Sequence, residues 1–373
     1  MRSIFWIALT AVWLASCGGH SVYRQEAGDT LSLQYASLLT VVKHEGYTVA
    51  EIRNPWKPDK LLQTYLLVPR GQELPKGMPH GTVVRTPVRR AAVFTTVHCS
   101  LLTQLGHSDD IVAVADLKYI KVPVIHDRVK AGLTADCGGG LNPVVEKIMD
   151  VNPDVIMLSP FENSGGYGKL EDIDIPLVEC AEYMEVSPLA RAEWMKFYGM
   201  LFGEEAQTDS LFHVVDSSYQ ALCREAAQAG EGQSVLIDRL VGSVWYVPGG
   251  HSTIGQMVQD AGGRYPWAAD DHSGSLSLPF ETVLERAGDC DVWMYRYSSD
   301  HDQTYSELLA EHHGYAQLSA YANRNVYGCN VERTLFYEQS PFRPDYLLAD
   351  FIQILHPGMA APSPLRYFKK LNE

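Results

Sequence analysis

Three groups of residues in this chain have chemistry to offer. The first is a thiol, Cys17, which closes the run Leu14-Ala15-Ser16-Cys17 after Arg2 and the apolar stretch 4–13. A short positive start, an apolar stretch too short to span a bilayer and small residues at its end describe an export signal over residues 1–16. The second is Tyr295-Arg296-Tyr297, which ends the strand-like run Asp291-Val292-Trp293-Met294. A charge at the end of a buried strand is poorly explained as core, and a guanidinium there suits a ligand carboxylate. The third is a set of large side chains just after strands: His98, Lys118, Tyr119, Phe161 and Tyr167, then Trp245, Tyr246 and Trp267. Large flat ligands bind between aromatic walls with a few directed polar groups. Core packing is the competing reading for each aromatic.

Catalytic signatures are missing from the chain. There is no G-x-S-x-G elbow, no G-x-x-x-x-G-K-[ST] and no H-E-x-x-H. The thirteen histidines are scattered, and His312-His313 point to different faces of any regular element. No catalytic residue, resident cofactor or metal site is therefore expected. Net charge is −15 at pH 7, which disfavours nucleic acid and anionic membrane surfaces as partners. Cysteines 99, 137, 180, 223, 290 and 329 lie far apart with no C-x-x-C pair. Cys180 and Cys290 sit in apolar runs, where a free buried thiol is expected.

These groups need a scaffold. Short β-rich runs at 38–42, 47–52 and 65–68, split by His44-Glu45-Gly46 and Asn54-Pro55-Trp56-Lys57-Pro58, predict an N-terminal β-hairpin arm over 38–80. From residue 81 to 186 strands alternate with short helices, which predicts a mostly parallel, covered sheet. Asn142 and Pro143 look like the cap and first residue of a helix running to Met149. Residues 187–230 lack strand signals, and Trp194, Phe197, Tyr198, Leu201 and Phe202 recur at helical spacing. The α/β pattern restarts over 231–373. In each half a Pro and a Glu open a helix leading to a strand: Pro143 and Glu146 before 154–157, Pro279 and Glu281 before 291–294. A carboxylate in a first turn is favoured by the helix dipole and needs no partner.

Two resemblances give this plan a meaning. Residues 14–17 resemble the bacterial lipobox, which implies that Cys17 is the lipid-attachment site and that 17–37 form an anchor and tether at the periplasmic face of a membrane. Residues 82–357 resemble the substrate-binding proteins of ABC importers for metal chelates. The matching pieces are Arg90-Ala91-Ala92-Val93, residues 142–157 and 189–203, Tyr246-Val247-Pro248-Gly249-Gly250, Asp260-Ala261-Gly262-Gly263, Phe280-Glu281-Thr282-Val283-Leu284 and Pro344-Asp345-Tyr346-Leu347-Leu348-Ala349-Asp350. The resemblance implies two Rossmann-like lobes joined by a long helix, with an iron complex (siderophore or haem) or cobalamin in the cleft between them. It also implies that Glu146 and Glu281 dock on arginines of an ABC permease. A free metal-ion carrier and a lipid-anchored enzyme on a similar scaffold are the alternatives.

Overall fold

The computed structural model describes residues 28–162, 166–359 and 364–373. Cys17 and the export signal lie outside the described residues.

The arm is a five-stranded sheet. Asp29–Thr30, Leu39–His44, Tyr47–Arg53 and Leu61–Pro69 run antiparallel in that order, and Thr82–Thr86 closes the edge in parallel with Leu61–Pro69. The hairpins follow the expected runs. The parallel fifth strand was not anticipated, since residues 70–81, a turn-rich segment, separate it from its partner. Tyr65, fully buried, fixes the arm to the first lobe: its hydroxyl donates to Leu177 O at 3.1 Å and accepts from Glu179 N at 2.7 Å.

The first lobe is built on a wholly parallel sheet in the order Leu177–Glu179, Val155–Leu158, Ala91–Val93, Ile111–Val114, Ala135–Asp136. Its strands are short, apolar and almost entirely buried, as a sheet covered on both faces requires. The second lobe places Val235–Ile237, Val292–Tyr297 and Val326–Asn330 in parallel, with Lys369–Lys370 antiparallel at the edge.

Three helices join the lobes: Pro188–Glu193, Met195–Phe202 and Glu205–Ala229. The last has 25 residues, about 37 Å at 1.5 Å per residue. Thr208, Phe212, Val215 and Tyr219, at steps of four, three and four, and Ala226 two turns on give it a buried stripe, and Gly230 (φ 85°) ends it. Where the chain doubles back, a Cβ on Gly199 would stand 2.1 Å from Thr208 Oγ1. Only glycine lets those two helices approach so closely.

Two local expectations change. Asn142–Pro143 is not a helix start: it pairs antiparallel with Gly138–Gly139, and the helix begins later, at Val145–Val151. Residues 244–248 form a strand but not in the parallel sheet. Val244–Pro248 pairs antiparallel with Leu240–Val241 and Ser275–Leu278 in a separate small sheet. All six described cysteines are free. No described helix is long and apolar enough to cross a membrane.

Candidate functional site

A cavity of 390 Å³ opens between the lobes, within the range of small-molecule sites. Its walls come from the C-terminal ends of parallel strands, where open α/β sheets bind ligands. Thr95 and Thr96 follow strand Ala91–Val93, Ser159 follows Val155–Leu158, and Glu182 and Tyr183 follow Leu177–Glu179. The second lobe contributes Thr253, Ile254 and Met257 from helix Thr253–Asp260, Arg296 from a strand end, and Phe336 and Tyr337. The joining helix Pro188–Glu193 adds Arg191. A second cavity, of 770 Å³, lies on the first lobe and shares Thr95 and Ser159 with the first. The lobes also touch directly: Thr96 Oγ1 donates to Glu338 Oε1 at 2.8 Å, and Lys121 pairs with Glu332.

Charge at the floor of the cleft is mostly neutralised from within. Glu182 is buried and accepts from Tyr198 OH at 2.7 Å. His98, fully buried, places Nε2 3.5 Å from the same carboxylate, and Thr95 Oγ1 holds its Nδ1. Burial disfavours the imidazolium, but the Cys180 sulfur and the Glu182 carboxylate outweigh it and raise His98 to about 10. Burial likewise opposes the Glu182 carboxylate, and His98 outweighs that, lowering it to about 2. Arg296 is bound by Asp238 through two bonds, Nε to Oδ1 at 3.0 Å and Nη2 to Oδ2 at 2.6 Å. Arg191 stands apart. Its Nε is buried without a hydrogen bond, and burial followed by the opposing pull of Glu182 leaves its guanidinium below the usual value.

The residues singled out in the sequence scatter. Arg296 lines the interlobe cavity, and Phe161 and Tyr167 line the cavity beside it. The Tyr167 hydroxyl donates to Glu179 Oε1 at 2.9 Å. His98 lies beneath the floor and presents no surface. Trp245, Trp267, Tyr295 and Tyr297 are core rather than cleft. Trp245 packs against Trp293, Tyr315 and Phe280 and donates to Ile237 O. Trp267 lies against Tyr265 under Arg286. Tyr295 donates to Gln303 Oε1, and the Tyr297 hydroxyl accepts from Gln303 N. Tyr246 and Tyr119 are exposed and line neither cavity. Sequence reasoning missed Glu182, Tyr183, Arg191, Phe336 and Tyr337. No local signal marked them: Arg191 shares the run Pro188–Phe202 with Glu193 and Lys196, a segment read only as a connection between lobes.

Glu146 and Glu281 are both exposed and without hydrogen bonds or ion pairs among the described residues. Each is the second residue of its helix, Val145–Val151 and Phe280–Ala287. The match between halves thus rests on helix position rather than on the prolines, because Pro279 caps its helix directly and Pro143 does not.

Among the described residues no group of three or more His, Cys, Asp or Glu is gathered as a metal centre. A family described as "Periplasmic binding protein" matches residues 92–332. An uncharacterized lipoprotein of Methanocaldococcus jannaschii is 24% identical over 371 residues, covering 93% of this chain and 87% of its own. The fold is similar to a periplasmic heme binding protein from Pseudomonas aeruginosa, with a TM-score of 0.58, 14% identity, 77% of this chain covered and 99% of that one. It is also similar to a possible iron-binding periplasmic solute-binding protein from Staphylococcus epidermidis, with a TM-score of 0.56, 18% identity, and coverage of 73% and 100%. At these identities the structural likeness concerns the fold.

Proposed function

Because this chain belongs to the periplasmic binding protein family, we propose that it is a lipid-anchored receptor that captures a metal chelate and passes it to an ABC permease. The ligand class is an iron complex, siderophore or haem, or cobalamin. Cys17 carries the anchor at the periplasmic face of a bacterial membrane, in keeping with the lipoprotein name of the M. jannaschii relative. The observation that carries the reading is the interlobe cavity itself. It joins aromatic walls (Tyr183, Phe336, Tyr337) to hydroxyl groups and an arginine, at strand ends of both lobes. Phe161 and Tyr167 extend the same wall over the first lobe. A cleft of this make-up suits a ligand with flat apolar faces and a few polar edges. The long helix between lobes limits closure to a small adjustment. Glu146 and Glu281, one per lobe, serve as the docking points for permease arginines.

The test is the melting temperature of the full-length lipoprotein in detergent with haem, a ferric hydroxamate siderophore or cyanocobalamin. One class should raise it by about 3–4 °C at a hundredfold excess over Kd. No shift with any of them, together with a shift on adding a bare divalent cation, would replace this reading with free metal-ion carriage.

A further inference from the structure

Among the described residues only three charged ones line the interlobe cavity: Glu182, Arg191 and Arg296. Two of them are already answered. Glu182 faces His98 and accepts the Tyr198 hydroxyl. Arg296 gives two donors to Asp238. Arg191 makes no ion pair and no side-chain hydrogen bond among the described residues, and its Nε is shut off from water. A guanidinium has five donors in a planar fork, and leaving the buried Nε without an acceptor is costly. Glu182 attracts this guanidinium across the cavity, but among the described residues it gives its carboxylate to Tyr198 and His98 and forms no ion pair or hydrogen bond with Arg191.

The surroundings fit an anion. Ser159, Thr253, Ser340 and Tyr337 also line the cavity, and their hydroxyls make no hydrogen bond among the described residues. They offer neutral donors around one cation, with Phe336 and Met257 as apolar walls. The position matters as well. Arg191 belongs to helix Pro188–Glu193, in the segment that joins the lobes, so it faces the cavity from neither lobe's sheet.

We infer that Arg191 is the anchoring cation of the cleft and that the ligand is a chelate bearing an ionised carboxylate. The carboxylate lies against the guanidinium fork, and the first- and second-lobe hydroxyls close around it. This rests on the chelate-binding reading above and narrows it. Within that class, haem with its propionates and carboxylate siderophores fit, whereas cobalamin and carboxylate-free hydroxamates do not.

The experiment is calorimetric titration of the full-length lipoprotein in detergent with four probes: haem, ferric citrate, ferrioxamine B and cyanocobalamin. The wild type should bind haem or ferric citrate. Arg191→Gln should weaken that binding on the order of 10- to 100-fold, with Arg191→Lys falling between. The ligand-free melting temperature of Arg191→Gln should stay within about 2 °C of wild type or rise, because the group has no internal partner to lose. Unchanged affinity in Arg191→Gln overturns the inference. So does a ligand-free destabilisation of Arg191→Gln that Arg191→Lys restores, since Arg191 would then be a structural counter-ion for Glu182. Binding of ferrioxamine B or cyanocobalamin alone overturns the inference and leaves the chelate reading standing. Binding of none of the four removes both.

Discussion

Arg296 and Asp238 clasp one another through two parallel bonds of 3.0 and 2.6 Å, so the arginine that ends strand Val292–Tyr297 faces inward to a carboxylate of its own lobe. Asp238 follows strand Val235–Ile237 in a left-handed conformation (φ 61°), and its carbonyl accepts from Trp293 Nε1 at 2.7 Å. The pair therefore holds two neighbouring strand ends at the cleft. Arg296→Ala would leave Asp238 partly buried without a partner and should cost about 1–3 kcal/mol of stability. Urea unfolding measures this. A stability unchanged within error would show that the pair holds nothing in place.

The pair His98 and Glu182 makes stability depend on pH at both ends. His98 is raised from 6.5 to about 10, so the folded protein holds this proton more tightly than the unfolded chain. Its contribution is complete below pH 6.5 and is lost as pH climbs through about 10. Glu182 is lowered from 4.5 to about 2, so its contribution is in place above pH 4.5 and is lost as pH falls through about 2. Melting temperature should decline steadily from neutral to pH 10 in the wild type. In His98→Gln the whole curve should be lower and its alkaline slope shallower. Parallel curves for the two proteins across that range would contradict the assignment.

The alternating lobes were legible because short apolar runs separated by Gly, Pro and Asn carry the strand pattern locally. The joining segment was legible because it lacks strand signals and Trp194, Phe197, Tyr198, Leu201 and Phe202 recur at helical spacing. The start of the Glu146 helix was not. Its upstream backbone is taken by a ribbon, with Val144 N donating to Cys137 O at 2.8 Å, and Asn142 never reaches a capping position. The sequence reading directs both Trp245 and Tyr246 toward the ligand, yet neighbours on a strand face opposite ways, and packing on Trp293 and Tyr315 turns Trp245 inward. Arg191 was the least legible of all. That a guanidinium lacks a partner is a property of everything around it, and no local pattern encodes an absence.

Glu193 predicts how the arm is held. It is fully buried, and its carboxylate accepts from three consecutive backbone amides: Gln34 at 2.9 Å, Tyr35 at 2.8 Å and Ala36 at 2.9 Å. Glu185 repeats the device with Ser37 and Leu38. Charge-assisted bonds of this kind are the stronger ones. Glu193→Ala should cost about 2–4 kcal/mol, because three donors lose their acceptor together. Limited proteolysis should then cut within 28–38 before the lobes open. Equal protease resistance in wild type and variant would mean that the segment is held by its other contacts.

Glu146 and Glu281 carry the prediction about the permease. Both are exposed, both are second residues of their helices, and neither makes a hydrogen bond or ion pair among the described residues. At a first turn the helix dipole favours the carboxylate, and a surface glutamate alone needs no further explanation. The correspondence between lobes is what that account leaves over. Two widely placed carboxylates meeting two arginines would fix the orientation of both lobes and steer the encounter. Replacing either glutamate by Ala should leave chelate affinity and melting temperature unchanged while reducing uptake in cells. Arg should reduce uptake further, because a like charge then faces the permease. The double Arg variant should lose at least about tenfold of uptake. Since neither side chain touches the cavity, a loss of ligand affinity would move these residues into the binding machinery. Full uptake by the double variant would remove them from the docking surface.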